Sequence, residues 1–260
     1  MKRMQFIANL AATIALSASA VASNADPILY ATTGAGSQLV RIDVGAGTVS
    51  KIGDLEEPYA LAIAISPAGN LFTVTHSMPG EPGTPQLASV NRAQGTTKPF
   101  GPNLGSEIFM GLGFSPEGVL YGVNSMSGTD DTGSLYQFNP ATGKATKVGV
   151  TGGCFEIMDI AFHPDGTMYG AAWDSLYRID RTTGQATVVK KFDNLGAIMG
   201  LAIDDDGIFY VSEILENAPL WRLDPVSGTP TAVLGVTLNY PHGLEFIPTP
   251  FSRSTSKAGR

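Results

Sequence analysis

Residues 111–121 read GLGFSPEGVLY, and this stretch decides the fold. Two short apolar runs flank a Ser-Pro-Glu-Gly turn, which is the pattern of a strand, a tight turn and a second strand. The pattern recurs at residues 62–72 (AIAISPAGNLF), 159–169 (DIAFHPDGTMY) and 200–210 (GLAIDDDGIFY). Four copies of one hairpin indicate a repeat protein.

A second motif places a glycine four residues after an Asp or Asn, as in Asn139–Gly143. Its five copies begin at leucines spaced 48, 48, 41 and 44 residues apart, namely Leu39, Leu87, Leu135, Leu176 and Leu220. Such a period, with four short strands in each unit, is typical of a β-propeller. The turn that closes each copy favours positive φ, which glycine supplies: Gly47, Gly95, Gly143, Gly184 and Gly228.

The chain termini complete one blade between them. Residues 243–248 form a first strand with no partners after it, whereas residues 28–30, 39–43 and 48–53 form three strands with no first strand. We therefore predict an all-β fold: a five-bladed β-propeller of four-stranded antiparallel blades, closed by shared N- and C-terminal strands. Residues 26–250 form this single domain, and residues 251–260 are expected to be a disordered polar tail.

The first 25 residues have the parts of a secretory signal peptide. Lys2 and Arg3 precede an apolar stretch over residues 6–16, and small residues place the cleavage site after Ala20 or Ala25. The apolar stretch is too short to span a bilayer, and no later segment is longer. We predict an exported protein, periplasmic or extracellular, without a membrane span.

Composition excludes one class of partner. The chain has 16 Lys and Arg against 23 Asp and Glu, a formal net charge of −7, and no basic cluster. Since a phosphate backbone requires positive surface, we expect no nucleic-acid partner. Cys154 is the only cysteine, so it forms no intramolecular disulfide. We interpret Cys154 as a small half-buried residue near a turn, with a reactive thiol as the alternative. We expect the chain to be a monomer.

The two faces of the predicted propeller differ. The tight glycine turns share one face, here called the turn face. The loops between second and third strands and the connections between blades share the other, here called the loop face. Variable loops on a rigid scaffold are where binding usually occurs, so we expect a small molecule, a carbohydrate or a protein to bind the loop face. The candidate binding residues are Glu57, Tyr59, Glu107, Glu156, Asp159, Trp173, Asp174, Tyr240 and His242.

These residues allow alternative interpretations. The acids and aromatics could surround a cation or sugar site, or the acids could be solvated loop residues above an apolar plug. Asp159 stands out because other copies have Gly or Ala there, and an acid in the channel needs partners. Met110, Met158, Met199 and His242 occupy matching positions that suit Cu(I) ligands or, more simply, fill a narrow channel. Trp173 is a stacking platform or packs between blades.

No sequence motif indicates catalysis. Serine-hydrolase, zinc-protease, redox and nucleotide-binding signatures are absent, and we assign no catalytic residue. The sequence therefore favours a non-catalytic exported binding or interaction protein, with the ligand on the loop face of the central channel. The cofactor is left open, with a divalent metal as the candidate.

The repeat resembles secreted bacterial β-propellers of the NHL and gluconolactonase/regucalcin-like groups, in which Gly-Leu-x-Phe-x-Pro-Asp-Gly-x-Leu-Tyr units are common. The resemblance extends from about Ile28 to Pro248. Residues 241–244 (PHGL) are similar to the Pro-Asn-Gly-Leu segment of the lactonase group, whose Asn helps hold a divalent metal. His242 stands at that position. The resemblance implies the alternative function, a metal-dependent hydrolase or lactonase acting on a small sugar-like substrate.

Overall fold

The computed structural model describes residues 27–55, 60–76, 84–105, 107–126, 133–152 and 156–248. They form twenty strands in five four-stranded antiparallel sheets, arranged as a five-bladed propeller, so the predicted fold is confirmed. None of these residues forms a helix long and apolar enough to cross a membrane. The predicted signal peptide and the terminal tail lie outside the described residues.

The blades follow one another along the chain, each running from an inner strand to an outer one. Blade 1 consists of β20 (Leu244–Phe246), β1 (Ile28–Thr33), β2 (Gln38–Asp43) and β3 (Thr48–Asp54). Blade 2 consists of β4 (Ile63–Ile65), β5 (Leu71–Thr75), β6 (Gln86–Val90) and β7 (Thr97–Phe100). Blade 3 consists of β8 (Ile108–Phe114), β9 (Leu120–Met126), β10 (Ser134–Phe138) and β11 (Ala145–Val150). Blade 4 consists of β12 (Asp159–Phe162), β13 (Met168–Ala172), β14 (Ser175–Ile179) and β15 (Ala186–Lys191), and blade 5 of β16 (Ile198–Ile203), β17 (Phe209–Glu213), β18 (Ala218–Leu223) and β19 (Pro230–Leu238).

The termini close the ring as the sequence predicts. Strand β20 pairs antiparallel with β1, with Tyr30 opposite Glu245 and Ala31 opposite Leu244. The last strand thereby covers an edge of the first blade that would otherwise be unpaired. Closure therefore depends on three residues of β20 near the end of the chain.

The turn glycines adopt the backbone conformation predicted for them. The five glycines of the second motif have φ between 64° and 82°, with Gly143 at 71°. In that copy the Gly143 N–H donates to the Asn139 carbonyl, and the Asn139 side chain accepts from the backbone N–H of Ala141. The Asn or Asp thus stabilises a turn that its glycine closes.

The core lies between blades. Five buried apolar clusters each join one pair of neighbouring blades, as where Leu29 of blade 1 packs in one cluster with Leu220 of blade 5. The inner strands approach one another closely, so that a Cβ on Gly111 would lie 2.7 Å from the Cα of Asp159. The equivalent pair of positions in or next to each inner strand comprises residues 62 and 64, 111 and 113, 159 and 161, 200 and 202, and 243 and 245. Eight of these positions hold Gly or Ala, and Asp159 and Glu245 are the exceptions.

Candidate binding surface on the loop face

Trp173 is presented to solvent by a two-residue loop between β13 and β14. Its φ is 50°, an uncommon conformation for a bulky residue, and its indole Nε1–H donates to Oε2 of Glu156 over 3.1 Å. The next residue, Asp174, accepts from the Ser175 hydroxyl at 2.7 Å and from Nζ of Lys191 at 3.0 Å. These two contacts lower the pKa of Asp174, so it remains ionised.

Tyr240 occupies a similar position in the connection from blade 5 to blade 1. Its φ is 45°, its N–H donates to the carbonyl of Leu215 at 2.9 Å, and its own carbonyl accepts from the N–H of Ala35. Both flanking loops therefore hold its backbone in place. The side chain remains half-exposed.

Backbone hydrogen bonds connect these residues across the face. The Ile198 N–H donates to the Trp173 carbonyl, and the Ile214 N–H donates to the Ala197 carbonyl, each at 2.9 Å. Trp173, Leu215 and Tyr240 have exposed fractions of 47%, 48% and 45%. We name this set the aromatic rim, after its two aromatic members. The rim runs over blades 4 and 5 and the connection to blade 1.

Backbone strain is concentrated on the same face. Four non-glycine residues in the described part of the chain have positive φ, and all four lie in loop-face segments: Ala35, Trp173, Asn217 and Tyr240. Such a conformation costs on the order of 1–3 kcal/mol for a bulky residue and persists where the surrounding structure enforces it. The fold therefore holds two exposed aromatic side chains in place at a cost in stability.

Methionines cover the loop-face end of the channel. Met110, Met158 and Met199 are buried in one cluster, with Leu61 packed against it. His242 follows at the matching position and is only 4% exposed. Burial lowers the pKa of His242 to about 4, so the imidazole is neutral at neutral pH. Within the described residues, its buried Nδ1 has no hydrogen-bond partner.

Asp159 lies inside the channel and bridges three blades. Its carboxylate accepts backbone N–H groups from Ile160 at 2.9 Å, Leu201 at 2.9 Å and Leu244 at 3.1 Å. These three residues hold equivalent positions in blades 4, 5 and 1, where an inner strand directs alternate N–H groups away from its own sheet. Burial raises the pKa of Asp159 well above its usual value, against the effect of the three hydrogen bonds. The carboxyl satisfies donors that would otherwise be buried and unpaired.

The remaining candidate acid among the described residues, Glu107, is engaged separately, on blade 3. Glu107 accepts a hydrogen bond from the side-chain amide of Asn124 and lies beside Tyr136. Burial, together with the charge of Glu107, raises the pKa of Tyr136 to about 12. Glu107 is thus part of a polar network within its own blade.

The structure does not bring these acids together with His242. Glu107 bonds Asn124, Glu156 bonds Trp173, and Asp159 bonds backbone N–H groups. No group of three His, Cys, Asp or Glu among the described residues could hold a metal ion. These residues therefore do not fit the divalent metal that the lactonase resemblance implies. Three residues singled out in the sequence lie outside the described part of the chain: Glu57, Tyr59 and Cys154.

A cavity at the turn-face end of the channel was missed by sequence reasoning. It has a volume of about 400 Å³ and is walled by the last residue of each inner strand, such as Phe114 and Phe162. Glu245 lines it, and burial together with the charge of Asp159 raises the pKa of Glu245 well above its usual value. The signal was present, because Glu245 stands where the other copies have Gly or Ala.

Solved structures share the fold at low sequence identity. A protein of unknown function from Bacteroides thetaiotaomicron is 18% identical with a TM-score of 0.56, over 86% of this chain and 62% of that one, so this chain spans less than two thirds of its length. A chain of the nidogen/laminin complex is 10% identical with a TM-score of 0.54, over 85% and 98%. TolB from Acinetobacter baumannii is 14% identical with a TM-score of 0.52, over 86% and 67%. At these identities the likeness shows the β-propeller fold alone.

No curated protein matches the chain in sequence. A family model, DUF6923, described as a repeat of unknown function, matches residues 62–201. This segment includes the inner strands of blades 2, 3 and 4 and most of that of blade 5. Because it is more than half of the 260 residues, the chain belongs to the DUF6923 repeat family.

Proposed function

We propose that the protein is an exported, non-catalytic binding propeller that docks a polypeptide segment on the aromatic rim. The observation that carries the proposal is the pair Trp173 and Tyr240, two half-exposed aromatic residues held at positive φ on one face. Trp and Tyr are the residue types that most often dominate protein interfaces. Strain retained at exposed residues points to a role other than packing.

The chemistry beside the rim selects the kind of segment. Glu156 accepts the indole N–H of Trp173, the next residue, Asp174, is a carboxylate paired with Lys191, and the chain carries a net charge of −7. Complementary charge raises the association rate and excludes wrong partners, so the preferred segment carries Lys or Arg next to an apolar side chain. The rim extends over two blades and a connection, which suits an extended segment better than a single sugar ring.

Two comparisons support a binding role. One structural neighbour belongs to a complex between nidogen and laminin, and another is TolB. The geometry does not favour the hydrolase alternative, since Glu107, Glu156 and Asp159 are each bonded elsewhere.

A display selection tests the proposal. A random peptide library is selected on the wild-type protein alone, and the enriched peptides are then measured for binding to a Trp173→Ala, Tyr240→Ala double variant. We expect enriched peptides rich in Lys, Arg and apolar residues, with binding lost in the double variant. Val226→Ala is the matched control, because Val226 is an exposed apolar residue in a turn on the opposite face.

A glycan array tests the competing hypothesis that the aromatic rim binds a carbohydrate. Enrichment of peptides that bind the double variant equally well would contradict the proposed surface. Glycan binding that is lost in the double variant, without any peptide binding, would show a carbohydrate site at the rim and overturn the polypeptide assignment.

A further inference from the structure

We propose that the loop-face mouth of the channel is a Cu(I) site, with the thioethers of Met110, Met158 and Met199 and the imidazole of His242 as ligands. The site is separate from the aromatic rim and does not rest on the docking of a polypeptide there. Two observations carry it. The three methionines share one buried cluster, and the fourth matching position holds a buried histidine whose Nδ1 has no hydrogen-bond partner among the residues that the structure describes.

The backbone places His242 as it places the methionines. The Met158 N–H donates to the carbonyl of Ala171 in the second strand of its blade, over 2.8 Å. The His242 N–H donates to the equivalent carbonyl of Thr32, over 2.9 Å. The two residues therefore enter their inner strands in the same way, and His242 continues the ring that the methionines begin.

The backbone of His242 lies beside the segment that carries the methionine of the neighbouring blade. The residue after His242 donates its N–H to the carbonyl of Leu61, and a Cβ on Gly200 would lie 2.5 Å from the His242 carbonyl oxygen. His242 thus stands between Leu61 and Met199. Leu244, two residues further along, packs in the cluster between blades 1 and 5. The proposed site places the imidazole of His242, two residues before Leu244, on the same side, toward blade 5, which contributes Met199.

An apolar plug would need no histidine. Leu61, the fifth member of the ring, shows that an aliphatic side chain fits such a position. An unpaired buried imidazole nitrogen is unfavourable, whereas coordination to a metal ion would satisfy it. Thioether and imidazole ligands together suit Cu(I), and the set contains no carboxylate for a hard cation.

The test measures Cu(I) binding by the full chain carrying Cys154→Ser, since a free thiol would compete for the ion. Cu(I), kept reduced by ascorbate, is titrated against the chromogenic chelator bicinchoninate. X-ray absorption at the copper edge then counts sulfur and nitrogen ligands. Met158→Leu, Met199→Leu and His242→Leu remove ligands, and the methionine changes conserve side-chain volume.

Met168→Leu is the matched control, because Met168 is buried in the core between blades 3 and 4, outside the ring. We expect one Cu(I) per chain, sulfur and nitrogen ligands together, and affinity weakened by more than about tenfold in each ring variant, since even outer-shell partners of a metal contribute that much. Affinity in Met168→Leu should be unchanged. Failure to retain Cu(I), a shell without sulfur, or equal weakening by Met168→Leu would each overturn the site. Circular dichroism of every variant separates ligand loss from unfolding.

Discussion

Removing the Asp159 carboxyl should destabilise the ring more than removing any surface acid. Asp159→Ala leaves the backbone N–H groups of Ile160, Leu201 and Leu244 without their acceptor. An unsatisfied buried donor costs about 1–3 kcal/mol, so three donors at the lower end give about 3 kcal/mol. Two effects of the substitution reduce this cost: a carboxyl group no longer has to be buried, and water can enter the channel. We therefore use the lower end of the range for each donor.

Asp159→Asn separates hydrogen bonding from charge. Oδ2 accepts from both Leu201 and Leu244, and an amide oxygen placed there keeps these two bonds. The amide NH₂ would then face the N–H of Ile160, a contact between two donors. We therefore expect Asp159→Asn to cost about 1–2 kcal/mol, less than Asp159→Ala.

The pH dependence has a defined sign. Because burial raises the pKa of Asp159 above its unfolded value of 3.8, the folded state binds the proton more tightly than the unfolded state. The stabilisation that this group contributes is therefore fully present below pH 3.8, and it is lost as the pH rises toward the folded pKa. The cost of Asp159→Asn should consequently shrink as pH rises.

Urea denaturation followed by tryptophan fluorescence, between pH 5 and pH 8, measures both effects. Asp54→Ala is the control, since Asp54 is an exposed acid paired with Lys51, and such pairs contribute about 0–1 kcal/mol. An Asp159→Ala variant as stable as the Asp54→Ala variant would refute the role of Asp159 in holding three blades together. A cost of Asp159→Asn that grows with pH would refute the assigned direction of its pKa.

Three further predictions concern the channel, the glycine turns and the predicted signal peptide. Glu245→Gln should gain stability relative to wild type as pH rises above 4.5, because burial raises the pKa of Glu245, and urea denaturation at several pH values measures it. Gly143→Ala should cost about 1 kcal/mol or more, because φ is 71° and the new Cβ would lie 2.7 Å from a carbonyl oxygen, whereas Gly196→Ala, with no atom within 4 Å, should be nearly neutral in the same assay. Fractionation of a bacterial host and N-terminal sequencing should find exported protein beginning after Ala20 or Ala25, and intact cytoplasmic protein would contradict export.

The fold could be predicted from the sequence because the same motifs recur along the chain. The hairpin at residues 111–121 and the turn at residues 139–143 each require a particular residue where φ is positive, and the structure places Gly118 at 85° and Gly143 at 71°. The closing strand was predictable because residues 243–248 had no partners left in their own repeat. Each motif alone is a weak indication of local structure, but their regular recurrence indicates how the strands are arranged.

The site was only partly readable from sequence. Asp159 stood out because it replaces a small residue, but the same signal at Glu245, which lines the cavity on the other face, was missed. The conformation of Trp173 could not be predicted, since a bulky residue disfavours positive φ and the surrounding loops impose it. Nδ1 of His242 lacks a partner among the described residues because of how the blades pack, which a linear motif does not contain.

Hydrogen exchange of the protein with and without a selected peptide tests the central claim most directly. The backbone N–H groups of Ile198, Ile214 and Tyr240 connect the aromatic rim. The account predicts that the peptide slows exchange at these three amides while the turn-face amides of Gly118 and Gly166 are unchanged. Slower exchange at the turn-face amides, with Ile198, Ile214 and Tyr240 unchanged, would contradict it.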